Sequence, residues 1–260
     1  MAMARPLALV TGASAGIGAA CARQLAERGY DLALVARRAD RLEALGAELS
    51  SACGITCQAI PADLAAPDAH LPIIAALGGR AVSCLVNNAG LTVNGDFAAN
   101  PWERQRDALM VLAVAVAGLT NAVLPEMIAR NSGRIITISS ILALSQGGPG
   151  NTLYPASKAF AHLFMLSLDA EVRQHGIICT SVLPGSTSSE FRAANDLPAD
   201  SGNAADWFVQ TPEQVAAAAI AGNARGKLIV IPGMHNHVAA AAMKIAPGAM
   251  MRWLGRRIAN

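Results

Sequence analysis

Only two tyrosines occur in the chain, and Tyr154 stands four residues before a lysine in Tyr154-Pro155-Ala156-Ser157-Lys158. On a helix that spacing puts both side chains on one face, and Pro155 suits a first helical turn. A free phenol has a pKa of about 10 and is a poor base at neutral pH. A nearby ammonium favours phenolate, and each unit of lowering corresponds to about 1.4 kcal/mol. A phenol tuned in this way donates a proton to a carbonyl or takes one from an alcohol. Taken alone, a Tyr-x3-Lys pair is more often surface ornament. Its weight here comes from a second motif at the other end of the chain.

That motif is Thr11-Gly12-Ala13-Ser14-Ala15-Gly16-Ile17-Gly18, directly after the apolar run Leu7 to Val10. A pyrophosphate needs a tight turn, close backbone approach and the positive end of a helix. Gly12, Gly16 and Gly18 provide the first two, and a helix from about Gly16 provides the third. The alternative is an ordinary strand–helix turn. An acidic residue at the end of the second strand would hold the ribose hydroxyls of NAD. The chain instead has Ala36 followed by Arg37 and Arg38, whose guanidinium groups suit a 2′-phosphate. NADP is therefore favoured over NAD, the alternative being two solvated surface charges. Asp63, after the third strand, could accept from an adenine amino group or cap the next helix.

The elements that must carry these motifs alternate regularly. Strands are predicted at Leu7–Val10, Leu32–Ala36, Thr56–Ile60, Val82–Val86, Arg134–Ser139, Ile177–Val182 and Leu228–Ile231. Helices are predicted at Ala19–Arg28, Ala39–Leu49, His70–Leu77, Trp102–Ala129, Tyr154–Gln174 and Thr211–Ala221, the last with Thr211 as cap and Pro212 in its first turn. The strands are apolar throughout, which fits burial on both faces. The fold class is α/β, a single Rossmann-type doubly wound parallel sheet of about seven strands with helices on both faces. One domain spans 1–260. Residues 188–210 form a long connection carrying Phe191, Leu197, Trp207 and Phe208, which reads as a substrate lid. Residues 232–260 form a basic extension in which Ala239–Ala242 reads as a local alanine run.

Composition narrows the function. Of 260 residues, 53% are hydrophobic and 15% charged, which excludes intrinsic disorder. A formal charge of +2 calls for no nucleic-acid partner. The longest apolar run, Ala108 to Leu119, is short of a membrane span, and the N-terminus lacks a secretory pattern, so a cytoplasmic setting is expected. The tail, with Met250, Met251, Trp253 and Leu254 among Arg252, Arg256 and Arg257, could touch a membrane surface, though a lid, a subunit contact or a docked helix is favoured. Cys53-x3-Cys57 lacks a second pair, and His235 and His237 lack acidic or cysteine partners nearby, so no metal is expected.

In combination, these motifs resemble the short-chain dehydrogenase/reductase family, in its DltE-like or ketoreductase-like branch. The resemblance covers nearly the whole chain. It adds Asn87-Asn88-Ala89-Gly90, the strand end Ser139-Ser140, and Pro184-Gly185 after the sixth strand. It implies Tyr154 as acid/base, Lys158 as the group that lowers its pKa and binds the nicotinamide ribose, and Ser140 as a donor to the substrate oxygen. Ser14 and Ile17 belong to the cofactor turn. Asp63 and Leu64 would meet the adenine. Asn87, Ala89 and Gly90 would line the cofactor near its adenine-side ribose. Thr187 would touch the carboxamide, and Ser189 keeps the hydroxyl that many relatives supply as threonine. The implied reaction is hydride transfer between NADP and a ketone or secondary alcohol, favouring reduction of a small apolar carbonyl compound. Relatives commonly assemble as dimers or tetramers through helices corresponding to 102–129 and 154–174, so a homo-oligomer is expected.

Two departures matter. Ser140 lies fourteen residues before Tyr154, where thirteen is the commoner spacing, so the extra residue could shift the serine. Many relatives carry an asparagine at the position of Leu112, thought to hold a water that links the lysine to solvent. Leucine has no donor or acceptor. Either other groups rebuild the proton path, or the chain is a noncatalytic NADP-binding sensor or subunit.

Overall fold

The computed structural model describes residues 5–188 and 209–245. Seven parallel strands form one sheet in the order β3-β2-β1-β4-β5-β6-β7. They are β1 (Leu7–Thr11), β2 (Asp31–Ala36), β3 (Cys57–Pro61), β4 (Val82–Asn87), β5 (Gly133–Ile138), β6 (Ile177–Val182) and β7 (Ile229–Val230). The order reverses between β1 and β4, and ligands of such sheets bind beyond the strand ends at that crevice. Every residue of β1 is buried, as an apolar strand covered on both faces requires.

The helices divide between the two faces. On one side, α1 (Gly16–Glu27), α2 (Ala39–Cys53) and α7 (Pro212–Ala224) bury Ala20, Leu25, Leu42, Val215 and Ile220 against Val10, Leu34 and Val86. On the other, α3 (His70–Ala76), α5 (Ala115–Ala129) and α6 (Leu153–Val172) bury Ile73, Leu119, Val123, Met165 and Leu168 against Leu9, Leu85 and Ile135. The Thr11 hydroxyl donates to the Val86 carbonyl and accepts from the Asn88 and Ala89 amides, which locks the end of β1 to the end of β4.

Thr211 caps α7 as predicted, and it does so through a full capping box with Gln214. Other boundaries move by one to a few residues. The predicted continuous helix 102–129 is interrupted: α4 (Trp102–Leu109) passes through a π-helical turn at Met110–Val114 before α5 begins. The alanine run 239–242 is not mere composition, because it lies inside a helix, α8 (Met234–Ile245). Of the proposed lid, residues 189–208 and with them Ser189 lie outside the described residues, as does 246–260. The run Trp102–Ala129 is long and apolar enough to cross a membrane, yet Leu112, Leu119, Val123 and Met127 are buried within the protein.

Candidate active site

The glycine turn is built by backbone geometry that only glycine adopts cheaply. Gly12 and Gly16 have φ of 65° and 55°. Gly18 is required for a different reason: a Cβ there would stand 2.2 Å from the Gly12 carbonyl oxygen, so α1 approaches the turn as closely as a chain can. The Ala15 N-cap offers no side-chain cap and the first turn holds no acid, so the positive end of α1 is uncompensated by the protein itself. It opens on a cavity of about 900 Å³ lined by Gly12, Ser14, Gly16, Ile17, Arg37 and Arg38. Arg38 donates through Nε and Nη2 to the Ser14 hydroxyl, at 3.2 and 2.9 Å, which holds the guanidinium beside the turn. An uncapped helix end, a close glycine turn and two cations fit a dinucleotide with a 2′-phosphate.

The same cavity continues along the strand ends. Asp63, Leu64, Ala89, Gly90, Pro184, Gly185 and Thr187 line it. Asp63 does not cap the next helix, which begins at His70 after Ala69; its Oδ1 accepts from the Ala65 amide and closes a local turn instead. The cofactor role assigned to Asn87 is not supported by its side chain. That amide is buried in the core and donates to the hydroxyls of Thr120 and Thr137. Its neighbour Asn88, in the same motif, lines the cavity and donates to the carbonyls of Thr11 and Gly12. A buried strand puts successive side chains on opposite faces, so one residue of register separates the two roles.

At the far end stand Ser140, Tyr154 and Lys158. Tyr154 and Lys158 are in the first turns of α6, one turn apart as predicted. The Ser139 hydroxyl donates to the Lys158 carbonyl at 2.7 Å, and the Lys158 ammonium donates to the Ile138 carbonyl at 2.8 Å, so α6 is fastened to the end of β5. Ser140, fourteen residues before Tyr154, lines the same cavity, and its hydroxyl hydrogen-bonds the Tyr154 phenol.

The electrostatics differ from the expectation in one respect. Tyr154 is pushed up to about 12 by burial, with the Ser140 hydrogen bond opposing. Lys158 is pushed down to about 8 by burial. Lowering of the phenol by the lysine is therefore not what this structure shows. The ammonium sits over the ring, 5.6 Å from its centroid, rather than at the hydroxyl, and the loss of water around the phenol outweighs it. A phenol held protonated at neutral pH is a proton donor.

Leu112 lies in the π-helical turn, buried with Val93 and Ala108 and packed with Leu91 and Tyr154. It makes a dry wall where the resemblance implied a polar residue. The cavity is also lined by the apolar Leu91, Val93, Ile141, Leu142 and Met243, with Thr92, Arg104, Asp107 and Asn151 as its polar neighbours.

The model of the short chain dehydrogenase family matches residues 6–198. An uncharacterized oxidoreductase of Myxococcus xanthus is 38% identical over 193 residues, covering 74% of this chain and 76% of that protein. A short-chain dehydrogenase from Sphingobium yanoikuyae, solved in complex with NADPH, is 31% identical with a TM-score of 0.82 over 95% of both chains. A bulky-bulky ketone specific alcohol dehydrogenase from Comamonas testosteroni is 30% identical with a TM-score of 0.77 over 91% of both chains.

Proposed function

Since the chain belongs to the short-chain dehydrogenase family, we propose that it is an NADPH-dependent reductase of bulky apolar ketones, of the ketoreductase-like or DltE-like kind. The observation that carries this reading is the meeting of Tyr154, Ser140 and Lys158 in the wall of the cavity that also holds the glycine turn and both arginines. The Sphingobium relative with NADPH and the Comamonas relative with bulky ketones support the cofactor and substrate class.

Bound NADPH supplies a hydride to the carbonyl carbon. The protein does the rest. The end of α1 and Arg37 and Arg38 hold the phosphates. Lys158 would hold the nicotinamide ribose, and the Gly185–Thr187 segment would border the nicotinamide. Ser140 donates to the carbonyl oxygen and steadies it. Tyr154 gives its proton to the developing alkoxide, which its high pKa permits only when charge develops on that oxygen. Leu91, Val93, Leu142 and Met243 exclude water and set an apolar subsite.

The connection 188–210, with its aromatic and apolar residues, is our proposed substrate lid, and most of it lies outside the described residues. We also propose a homo-oligomer through α4, α5 and α6. Trp102 is 57% exposed and Leu163 61%, and Val114 and Phe160 are exposed too, so these helices present large apolar side chains to the outside. All five cysteines are free thiols, which fits a reducing cytoplasm.

The test is turnover of NADPH with a panel of bulky ketones, followed at the nicotinamide absorbance and repeated with Tyr154→Phe. Turnover that is lost in the variant supports the reductase. NADPH binding without turnover in the natural protein supports the sensor reading, which the apolar Leu112 favours.

A further inference from the structure

The segment after β6 that borders the nicotinamide end of the cavity is held from outside by a residue to which no function attaches, Asn236. It lies in the first turn of α8, beyond the stretch matched by the family model. Its side chain is 3% exposed. The amide nitrogen donates to the Gln210 side-chain oxygen at 2.9 Å and to the Pro232 carbonyl at 2.7 Å. Gln210 in turn grips the segment through its backbone: its amide donates to the Ser186 carbonyl, and its carbonyl accepts from the Ser188 amide and hydroxyl. Asn236 also presses on the segment directly. A Cβ at Gly185 would stand 2.1 Å from Asn236 Oδ1, so the glycine is required by the close approach of that oxygen.

We propose that Asn236, through Gln210 and Gly185, is a positioning residue that sets the cavity wall at Gly185–Thr187 against the nicotinamide half of the cofactor. The inference rests on the NADPH reading above and adds a residue to it. Asn236 does not itself line the cavity. Gly185, Ser186 and Thr187 do, and their backbone is what Asn236 and Gln210 fix. The two buried hydrogen bonds of Asn236 anchor it to Gln210 and Pro232, its oxygen abuts Gly185, and the Gln210 backbone bonds the segment at Ser186 and Ser188; a buried amide so engaged is expensive to disturb. The adenosine half is held by a different part of the fold, the turn after β1 and the arginines after β2, with no bond to Asn236.

That separation supplies the test. The full-length protein, the Asn236→Ala variant and the Gln210→Leu variant are titrated with NADPH and with 2′,5′-ADP, which carries only the adenosine half. Both variants are expected to bind NADPH at least tenfold more weakly while 2′,5′-ADP affinity stays within about twofold, with a matching rise in KM for NADPH. Gly185→Ala is expected to weaken NADPH binding severely alone, and to add nothing further once Asn236→Ala has removed the colliding oxygen. Equal weakening of both ligands would mean a general loss of structure and overturn the proposal, as would unchanged NADPH affinity or additive losses in the double variant. If the natural protein binds 2′,5′-ADP and NADPH equally poorly, the cofactor reading itself fails and takes this inference with it.

Discussion

The ammonium of Lys158 lies 5.6 Å from the centre of the Tyr154 ring, buried, and donates a hydrogen bond to the Ile138 carbonyl at 2.8 Å. The protein thus keeps a cation out of water beside a buried phenol. That arrangement has a stability cost with a definite pH dependence. Lys158 is pushed from 10.5 to about 8 by burial. Below pH 8 both folded and unfolded chains carry the proton, and the full penalty, on the order of 3 kcal/mol, is present. As pH rises from about 8 towards 10.5 the folded chain has released the proton and the unfolded chain has not, so the penalty fades. Lys158→Met should therefore raise the Tm of the cofactor-free protein at pH 7. The gain should shrink steadily above pH 8. Thermal unfolding of both proteins from pH 6 to 10 reads this, and a gain that grew with pH would refute it.

Tyr154→Phe removes the donated proton and little else, because the ring stays packed against Leu112. Turnover should fall roughly 10²- to 10⁴-fold, with NADPH affinity unchanged. Stopped-flow reduction and a fluorescence titration measure the two separately. A variant that retained a tenth of the activity would assign the proton to another group.

Arg38 is held at the glycine turn by two hydrogen bonds to Ser14. Charge-assisted bonds to a phosphate contribute about 1.5–3 kcal/mol. Arg38→Ala should weaken NADPH roughly 10- to 100-fold and leave NADH nearly unchanged. Arg37→Ala should act in the same direction. Equal weakening of both cofactors would remove the 2′-phosphate from this end of the cavity.

Leu112 is 2% exposed in an apolar cluster. Leu112→Asn would bring an amide into that cluster without a partner, at a cost of about 1–3 kcal/mol. The expected outcome is a lower Tm and no gain in turnover. A clear rise in turnover would show that the proton path of this chain is limited by the missing amide.

The sheet, its helices and the cofactor turn were legible because their signals are local: unbroken apolar strands, glycines at a strand–helix junction, Tyr and Lys one turn apart. The members of the candidate site that share one cavity were legible where they fall in short motifs. The exceptions have physical causes. Asn87 and Asn88 are adjacent and chemically identical, and only the strand's register decides which faces the core. The high pKa of Tyr154 comes from burial by distant elements, which spacing along α6 cannot report. Asn236 and Gln210 meet across 26 residues and have no local pattern at all. Helix α8 was hidden for a similar reason: its first turn, Met234-His235-Asn236-His237, carries no acid and no familiar start signal.

The π-helical turn at Met110–Val114 works as a phase shifter. A helix advances about 100° per residue, and the wider turn admits one residue more than a regular helix would. Upstream of it, Arg104 and Asp107 line the cavity, while downstream Leu119 and Val123 look onto the sheet. Deleting a single residue from 110–114 would regularise the helix and swing the upstream half about a quarter-turn around its axis. Arg104 and Asp107 would leave the cavity wall, and that part of the cavity would acquire a different lining while Ser140, Tyr154 and Lys158 stayed where they are.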